Sequence, residues 1–196
     1  MTVVPIETAR IRLVLTHRAA ASSGLSEIEA WAHADPPFAE PVVPAGNLAA
    51  NASGQGYPAA SASFTAEGSA AERVTDGRVA YTRYSSNRWS ARGTPNASDW
   101  LAVDFGAPKA VIRVEVHFVA DGRSLAAPRS FSVEYWNGTA WVPAQVRRRL
   151  PAVPEGSAMN TVWVDRVETS RVRVVFEHAR PAATAVTELL IWSDGT

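Results

Sequence analysis

The stretch Tyr81–Asn87, "YTRYSSN", places two tyrosines, an arginine and a run of hydroxyls five residues behind an Asp76-Gly77 pair. Tyrosine rings present flat apolar faces that suit the C–H face of a sugar. Arg, Asn, Asp and His side chains can then read its hydroxyls. By that criterion the aromatic candidates are Tyr57, Tyr81 and Tyr84, and the polar ones are Arg83, Asp121, Arg123, His178 and Arg180, with Arg78 and Arg129 of the same type. For each of these taken singly, solvated surface is the competing reading. Asp76-Gly77 opens a loop rich in hydroxyls and carbonyls through Thr82, Ser85, Ser86 and Asn87, although Asp-Gly is also an ordinary turn pair.

No catalytic constellation accompanies them. The four histidines, His17, His33, His117 and His178, lack metal-ligand spacing, and neither H-E-x-x-H nor G-x-S-x-G occurs. Acid pairs such as Asp99 and Asp104 have no glycosidase role that sequence can assign, because the decisive separation lies in space. Cysteine is absent, which removes disulfides, zinc-thiolate sites and thiol catalysis together. Formal net charge is zero, so neither nucleic acid nor an anionic membrane is attracted by bulk electrostatics. No run of about 18 apolar residues exists to be read as a membrane-inserting span. The arginine excess over lysine, 18 to 1, suggests a high-GC bacterial coding sequence.

The elements that must position the candidates read as strands. Period-2 alternation runs through 100–106, 111–119, 129–136, 160–164, 171–178 and 187–192. Asn137-Gly138 is a hairpin turn signal because both residues tolerate positive φ, with Thr139–Val142 as the returning strand. Helix is limited to a turn or two near Ala70–Thr75. "RRR" at 147–149 should face solvent. The tryptophans Trp89, Trp100, Trp136, Trp141, Trp163 and Trp192 are expected mainly in the core, with Trp136 and Trp141 partly exposed beside the hairpin as a secondary aromatic platform candidate. The pattern predicts an all-β fold, an antiparallel two-sheet sandwich.

The chain also copies its own ending. Val3–Trp31 aligns without gaps on Val164–Trp192 with ten identities, among them Arg10/Arg171, Arg12/Arg173, His17/His178, Glu27/Glu188 and Trp31/Trp192. Residues 1–33 therefore read as a terminal strand pair resembling the tail of a preceding homologous domain. The Pro-rich 34–46 reads as a linker, and 47–196 as the β-sandwich. The N-terminus lacks the regions of a signal peptide, and the piece is expected to come from a longer precursor. A strand pair that augments or swaps into a sheet is the alternative for the leader.

The series "TDGRVAYTRYSSNRWSA" (75–91), "SDWLAVDFG" (98–106), "PRSFSVEYWNGTAWVPA" (128–144) and "SRVRVVFEHARPAATAVTELLIW" (170–192) resembles discoidin domains. These are also called coagulation factor V/VIII type C domains and include family 32 carbohydrate-binding modules. The resemblance covers about 47–194. It implies an eight-stranded jelly roll, galactose-binding-domain-like, that is non-catalytic and binds glycan through loops at one end. The implied partners are a polysaccharide or oligosaccharide and a covalently linked catalytic domain, a secreted bacterial glycoside hydrolase. The resemblance also implies a structural Ca²⁺ site, with Asp76 and Glu188 at the matching positions and Ser86 and Asn87 in the same loop. Calcium takes six to eight oxygens, many of which can be backbone carbonyls. Extra residues between Asp76-Gly77 and Arg88-Trp89 leave the third side-chain ligand open. The loop "ARPAATAVT" lacks the aromatic that galactose-binding members often carry. A structural or protein-interaction module that packs on a catalytic domain is the alternative function.

Overall fold

Alternation of apolar and polar residues decides where this backbone pairs. The computed structural model describes Thr8 and residues 10–16, 44–81 and 87–194. Eight strands follow in order: β1 (Ala59–Ala62), β2 (Trp89–Ser90), β3 (Ser98–Phe118), β4 (Ser130–Trp136), β5 (Trp141–Pro143), β6 (Val146–Leu150), β7 (Ala158–Glu177) and β8 (Ala185–Trp192). A 3-10 turn at Ala71–Val74 is the helix among the described residues, where a turn was expected. Among the described residues these strands pair antiparallel, in the order β2-β8-β3-β7-β4-β5, with β1 added to β3 and β6 to β7, and an isolated bridge joins Leu125 to Ala183 in parallel.

The two layers are one sheet folded on itself. Sequence alternation separates 100–106 from 111–119, and 160–164 from 171–178, whereas the structure runs each pair together as β3 and β7. Their first and second halves lie in different layers. Leu101–Asp104 pairs with β1, whereas Arg113–Phe118 pairs with β8. The bend in β3 falls at Gly106–Lys109, where the β3–β7 register shifts between Asp104 and Lys109. Gly106 there has φ +73°, and a Cβ on it would meet the Tyr57 ring at 2.6 Å, so only glycine fits. Pro108 withholds a ladder donor at the same corner.

The core lies between the layers. Leu101, Val103 and Phe105 from one half of β3 face Val114, Val116 and Phe118 from the other, joined by Val172, Val174 and Phe176 of β7. Phe118 packs edge-on to both Phe131 and Phe176. Trp89 is fully buried against Phe176 and donates its indole N–H to the Phe64 carbonyl at 2.8 Å.

The tryptophans correct the expectation of a mostly core placement. Of the six, only Trp89 joins the core cluster. Trp192 is buried on an outer face, where it donates to Glu115 at 2.9 Å with Arg113 over its ring. Trp100, Trp136, Trp141 and Trp163 are half-buried, each with an arginine near the ring. The reason is register. Each stands on the polar-alternate face of its strand, opposite the core residues. The "RRR" segment likewise is not simply solvated: it forms β6, with Arg148 over Trp163 and Arg149 over Phe131.

The chain divides into two units, Met1–Pro41 and Val42–Thr196. In the first, most of the 1–33 repeat copy and its proposed strand pair lies outside the described residues. Within the described stretch Ile11, Leu13, Val14 and Leu15 are exposed. Three of their sequence counterparts in β7, Val172, Val174 and Phe176, are buried.

The Trp89 indole supplies the first prediction. Trp89→Phe leaves the Phe64 carbonyl unpaired and vacates part of the core. It should destabilise the domain by roughly 1–3 kcal/mol, read as a lower midpoint in urea unfolding at unchanged slope.

Candidate functional site

The bends in β3 and β7 bring both ends of each strand back to one pole of the sandwich. Ser98 at the start of β3 pairs with Glu177 at the end of β7, and Phe118 at the other end of β3 pairs with Ala158 and Val186. Loops 91–97, 119–129, 151–157 and 178–184 therefore emerge at one pole. Asn47, bridged to Trp192, and the Asn137-Gly138 turn lie at the other.

At the loop pole a hollow of about 170 Å³ is lined by Glu67, Ser69, Arg88, Ser90, Arg92 and Leu125, with Ala66 and Gly68 completing the wall. Its walls come from alternation in "RWSAR" (88–92): Trp89 and Ala91 enter the core, which turns Arg88, Ser90 and Arg92 to the hollow. Ser90 N–H donates to Ser69 Oγ at 3.2 Å. Arg92 donates to Ser124 Oγ at 2.9 Å and stands 4.0 Å from Asp121. Asp121 in turn accepts the backbone N–H groups of Arg123, Ser124 and Leu125, each at 2.8 Å. Desolvation opposes its charge, but those three donors and the Ser124 hydroxyl outweigh it and hold its carboxyl well below the usual carboxylate range. Burial and the nearby Arg92 charge weaken the hold of Arg88 on its proton, which Asp121 partly offsets. The result is an ionised, preorganised rim of donors and acceptors.

Beneath this pole lies a closed polar network. His178 Nε2 meets Asp99 Oδ2 at 3.0 Å, and its Nδ1 meets Thr184 Oγ1 at 2.8 Å. Asp99 Oδ1 also accepts from Ser63 Oγ at 2.6 Å and Asn96 Nδ2 at 2.8 Å. Desolvation raises the Asp99 carboxyl, but the bonds from Ser63, Asn96, Thr94 and His178 win and lower it. All three central groups are sealed, at 1% (Asp99), 4% (His178) and 0% (Thr184) exposure. His178, a sequence candidate for sugar contact, has both ring nitrogens committed inside and works as a strut that ties three loops. Arg180 is exposed and donates to the carbonyls of Pro95 and Asn96. Arg123 is exposed on the Asp121 loop.

The tyrosines part company. Tyr57 is exposed at the opposite pole, its ring over Gly106. Tyr81 stacks on His117 with ring centroids 5.9 Å apart, and its hydroxyl meets His117 Nδ1 at 2.6 Å. Burial pushes the His117 pKa down to about 4, so the imidazole is uncharged at neutral pH and its tautomer sets the direction of the hydrogen bond with Tyr81. Arg83, Tyr84 and Ser86 lie outside the described residues. Of the sequence candidates, the structure groups Asp121, Arg123, His178 and Arg180 at the loop pole. It adds Glu67, Arg88, Ser90 and Arg92, which the "RWSAR" alternation could have disclosed.

Asp76, Asn87 and Glu188 do converge. Glu188 is 1% exposed; its Oε1 accepts the Gly77 N–H at 3.1 Å, while its Oε2 is buried without a hydrogen-bond partner. Asp76 Oδ1 accepts from Arg78 N–H at 3.0 Å and Asn87 Nδ2 at 3.3 Å. Burial, then the neighbouring Asp76 charge, raises the Glu188 carboxyl to about 9. An orphaned carboxylate oxygen beside a second carboxylate suits a hard divalent cation. Among the described residues no three His, Cys, Asp or Glu side chains converge on a common point, so backbone carbonyls would have to supply most of the shell. The residues present fit calcium on those terms.

Comparison with known proteins places this geometry. The F5/8 type C domain model matches residues 52–189. A structure of the Streptococcus pneumoniae β-galactosidase BgaA is similar at TM-score 0.70 and 24% identity, covering 76% of this chain and 98% of that one. Chitosan-binding module 2 of a Paenibacillus sp. IK-5 chitosanase/glucanase, solved with chitotriose, is similar at 0.55 and 18%, covering 75% and 100%. The family 32 module of C. perfringens NanJ, solved with galactose, is similar at 0.52 and 15%, covering 67% and 90%. No curated protein matches the chain. Sequence series, sandwich topology and family match agree: the chain belongs to the F5/8 type C, or discoidin, domain family.

Proposed function

We propose that the chain is a non-catalytic carbohydrate-binding module that holds an attached, secreted glycoside hydrolase at its polysaccharide. The observation that carries this reading is the loop-pole hollow, where Glu67, Arg88, Ser90 and Arg92 converge on a space of about 170 Å³. At ~30 Å³ per water molecule that is the room of about half a dozen waters, the scale of one sugar ring. Fixed guanidinium and carboxylate groups read hydroxyl pairs bidentately, and rigid supports such as the Asp121 turn keep them in place. Solved members of the same fold bind chitotriose and galactose. A single weak site becomes useful by tethering, which raises the effective concentration of the linked enzyme at its substrate. Leu150, Val153 and Met159, exposed on and beside the 151–157 loop, favour the second reading, a module that packs on a partner protein.

Calcium belongs to the same proposal as a staple for the 76–88 loop, held by Asp76 and Glu188 with loop carbonyls. Bound metal would supply the charge that Glu188 lacks, and the two carboxylates would anchor the loop to β8. In the metal-free protein the sign runs the other way. The folded carboxyl is raised above its unfolded value of 4.5, so stability falls as pH rises from there toward about 9.

Two outcomes follow. On a glycan and polysaccharide array, wild-type chain should give hits that Arg92→Ala weakens at least tenfold, about 1.4 kcal/mol, with an unchanged melting temperature. A blank array with wild type favours the packing module. In scanning calorimetry at neutral pH, calcium at about 100 Kd should raise Tm by roughly 5–10 °C over EDTA. Glu188→Gln should abolish that response while melting higher than wild type in EDTA. No calcium response in wild type would remove the staple and leave the glycan reading standing.

A further inference from the structure

The outer face of the layer built from β1, the first half of β3, the second half of β7, β4 and β5 holds a second hollow, which shares no lining residue with the one at the loop pole. Trp100, Ala102 and Asp104 alternate outward on β3, opposite Leu101, Val103 and Phe105 in the core. Register sets Ser61 beside Ala102, and Arg171 beside Asp104. Across the layer, Trp141 pairs with Trp136 at the hairpin. Together Ser61, Trp100, Ala102, Asp104, Trp141 and Arg171 border a basin of about 360 Å³.

We infer that this basin is a second carbohydrate subsite, one that takes an uncharged sugar ring against the indoles of Trp100 and Trp141 that border it. Three observations support the assignment. First, both indoles are half-buried yet border open space, and each is braced. Arg173 stands 4.6 Å from the Trp141 ring and 6.0 Å from Trp100, and Trp136 meets Trp141 edge-on at 5.6 Å. A braced aromatic loses little entropy when a ring stacks on it. Second, Ser61 and Ala102 are small where longer outward side chains would fill the basin beside Trp100, so open space remains over that part of the face. Third, the charges cancel in place. Arg171 bonds Asp104 at 2.6 Å and Arg173 bonds Glu134 at 2.6 Å. The basin thus offers N–H donors and carboxylate acceptors with no net charge, which complements a neutral polyol and disfavours an anionic one. A volume at the small end of the ligand-pocket range, lined by aromatics and a few polar groups, matches that ligand.

The ligand class rests on the glycan-binding reading; the location does not. With two sites on one module, a chain of several sugars engages both and gains avidity that a monosaccharide cannot.

The test is a titration of the whole chain, labelled at its tryptophan indole N–H groups, with galactose, chitotriose and arabinotriose to ~50 mM, since single-ring contacts have millimolar affinity. The inference expects the Trp100 and Trp141 indole signals to move saturably with at least one sugar. It expects Trp141→Ala to lower that affinity tenfold or more while leaving loop-pole binding by backbone amide shifts intact. Should Trp141→Ala misfold, Ser61→Phe, which fills the basin from an exposed edge position, serves the same purpose and must also block the indole shifts. Indoles that stay still while loop-pole amides shift would overturn the second subsite and keep the glycan reading. If no signal moved anywhere, both would fall.

Discussion

Everything functional in this domain hangs on two strands that are too long for one layer. β3 and β7, 21 and 20 residues, each traverse one layer, bend and return through the other. Because both ends of each strand come back to the same pole, loops far apart in sequence open side by side there. The bend itself depends on local chemistry at one corner, where Gly106 takes positive φ under the Tyr57 ring. A side chain there would strain the positive φ and displace that ring.

Charge burial then fixes the loops that the bends have gathered. Asp99 is fully supplied with donors, so its network is a finished strut joining the entry to β3, the exit of β7 and the entry to β8. Glu188 has one oxygen supplied and one bare, so its site is complete only with a cation or a proton. The contrast explains why two equally buried acids have opposite roles. One has its donors in place, and the other keeps an unsatisfied oxygen beside Asp76. Outside these sealed groups, Arg88, Ser90 and Arg92 remain directed to a hollow, which is where recognition chemistry can occur.

Much of the fold was legible in the sequence because period-2 alternation directly encodes which face is buried. Leu101, Val103 and Phe105, and likewise Val114, Val116 and Phe118, were assigned to one face each, and they form the core. Alternation is blind to continuity, however, so the long strands read as pairs, and β1, a bland "AASA", left no signal at all. The tryptophans show the same limit from the other side. Residue type argued for the core at Trp100 and Trp163, while strand register set both outward beside arginines; Trp136 and Trp141 are partly exposed beside the hairpin, as expected. At the site, His178 looked like a ligand reader because type and loop position are visible in sequence, but its burial beside Asp99 is not. Tyr57 and Tyr81 failed to meet because the pole on which a loop emerges depends on the bends. Asp76 and Glu188, 112 residues apart, were paired through family resemblance, and the geometry brings them together.

The central claim is that glycan binds at the loop pole on the side chains that "RWSAR" turns away from the core. The most direct measurement is backbone amide shift mapping while the intact chain is titrated with the strongest array hit. Saturable shifts are expected at Gly68, Ser69, Ser90, Arg92 and Leu125, with little change at Asn137 and Gly138 on the opposite pole. Saturable shifts that leave those five residues untouched would contradict it.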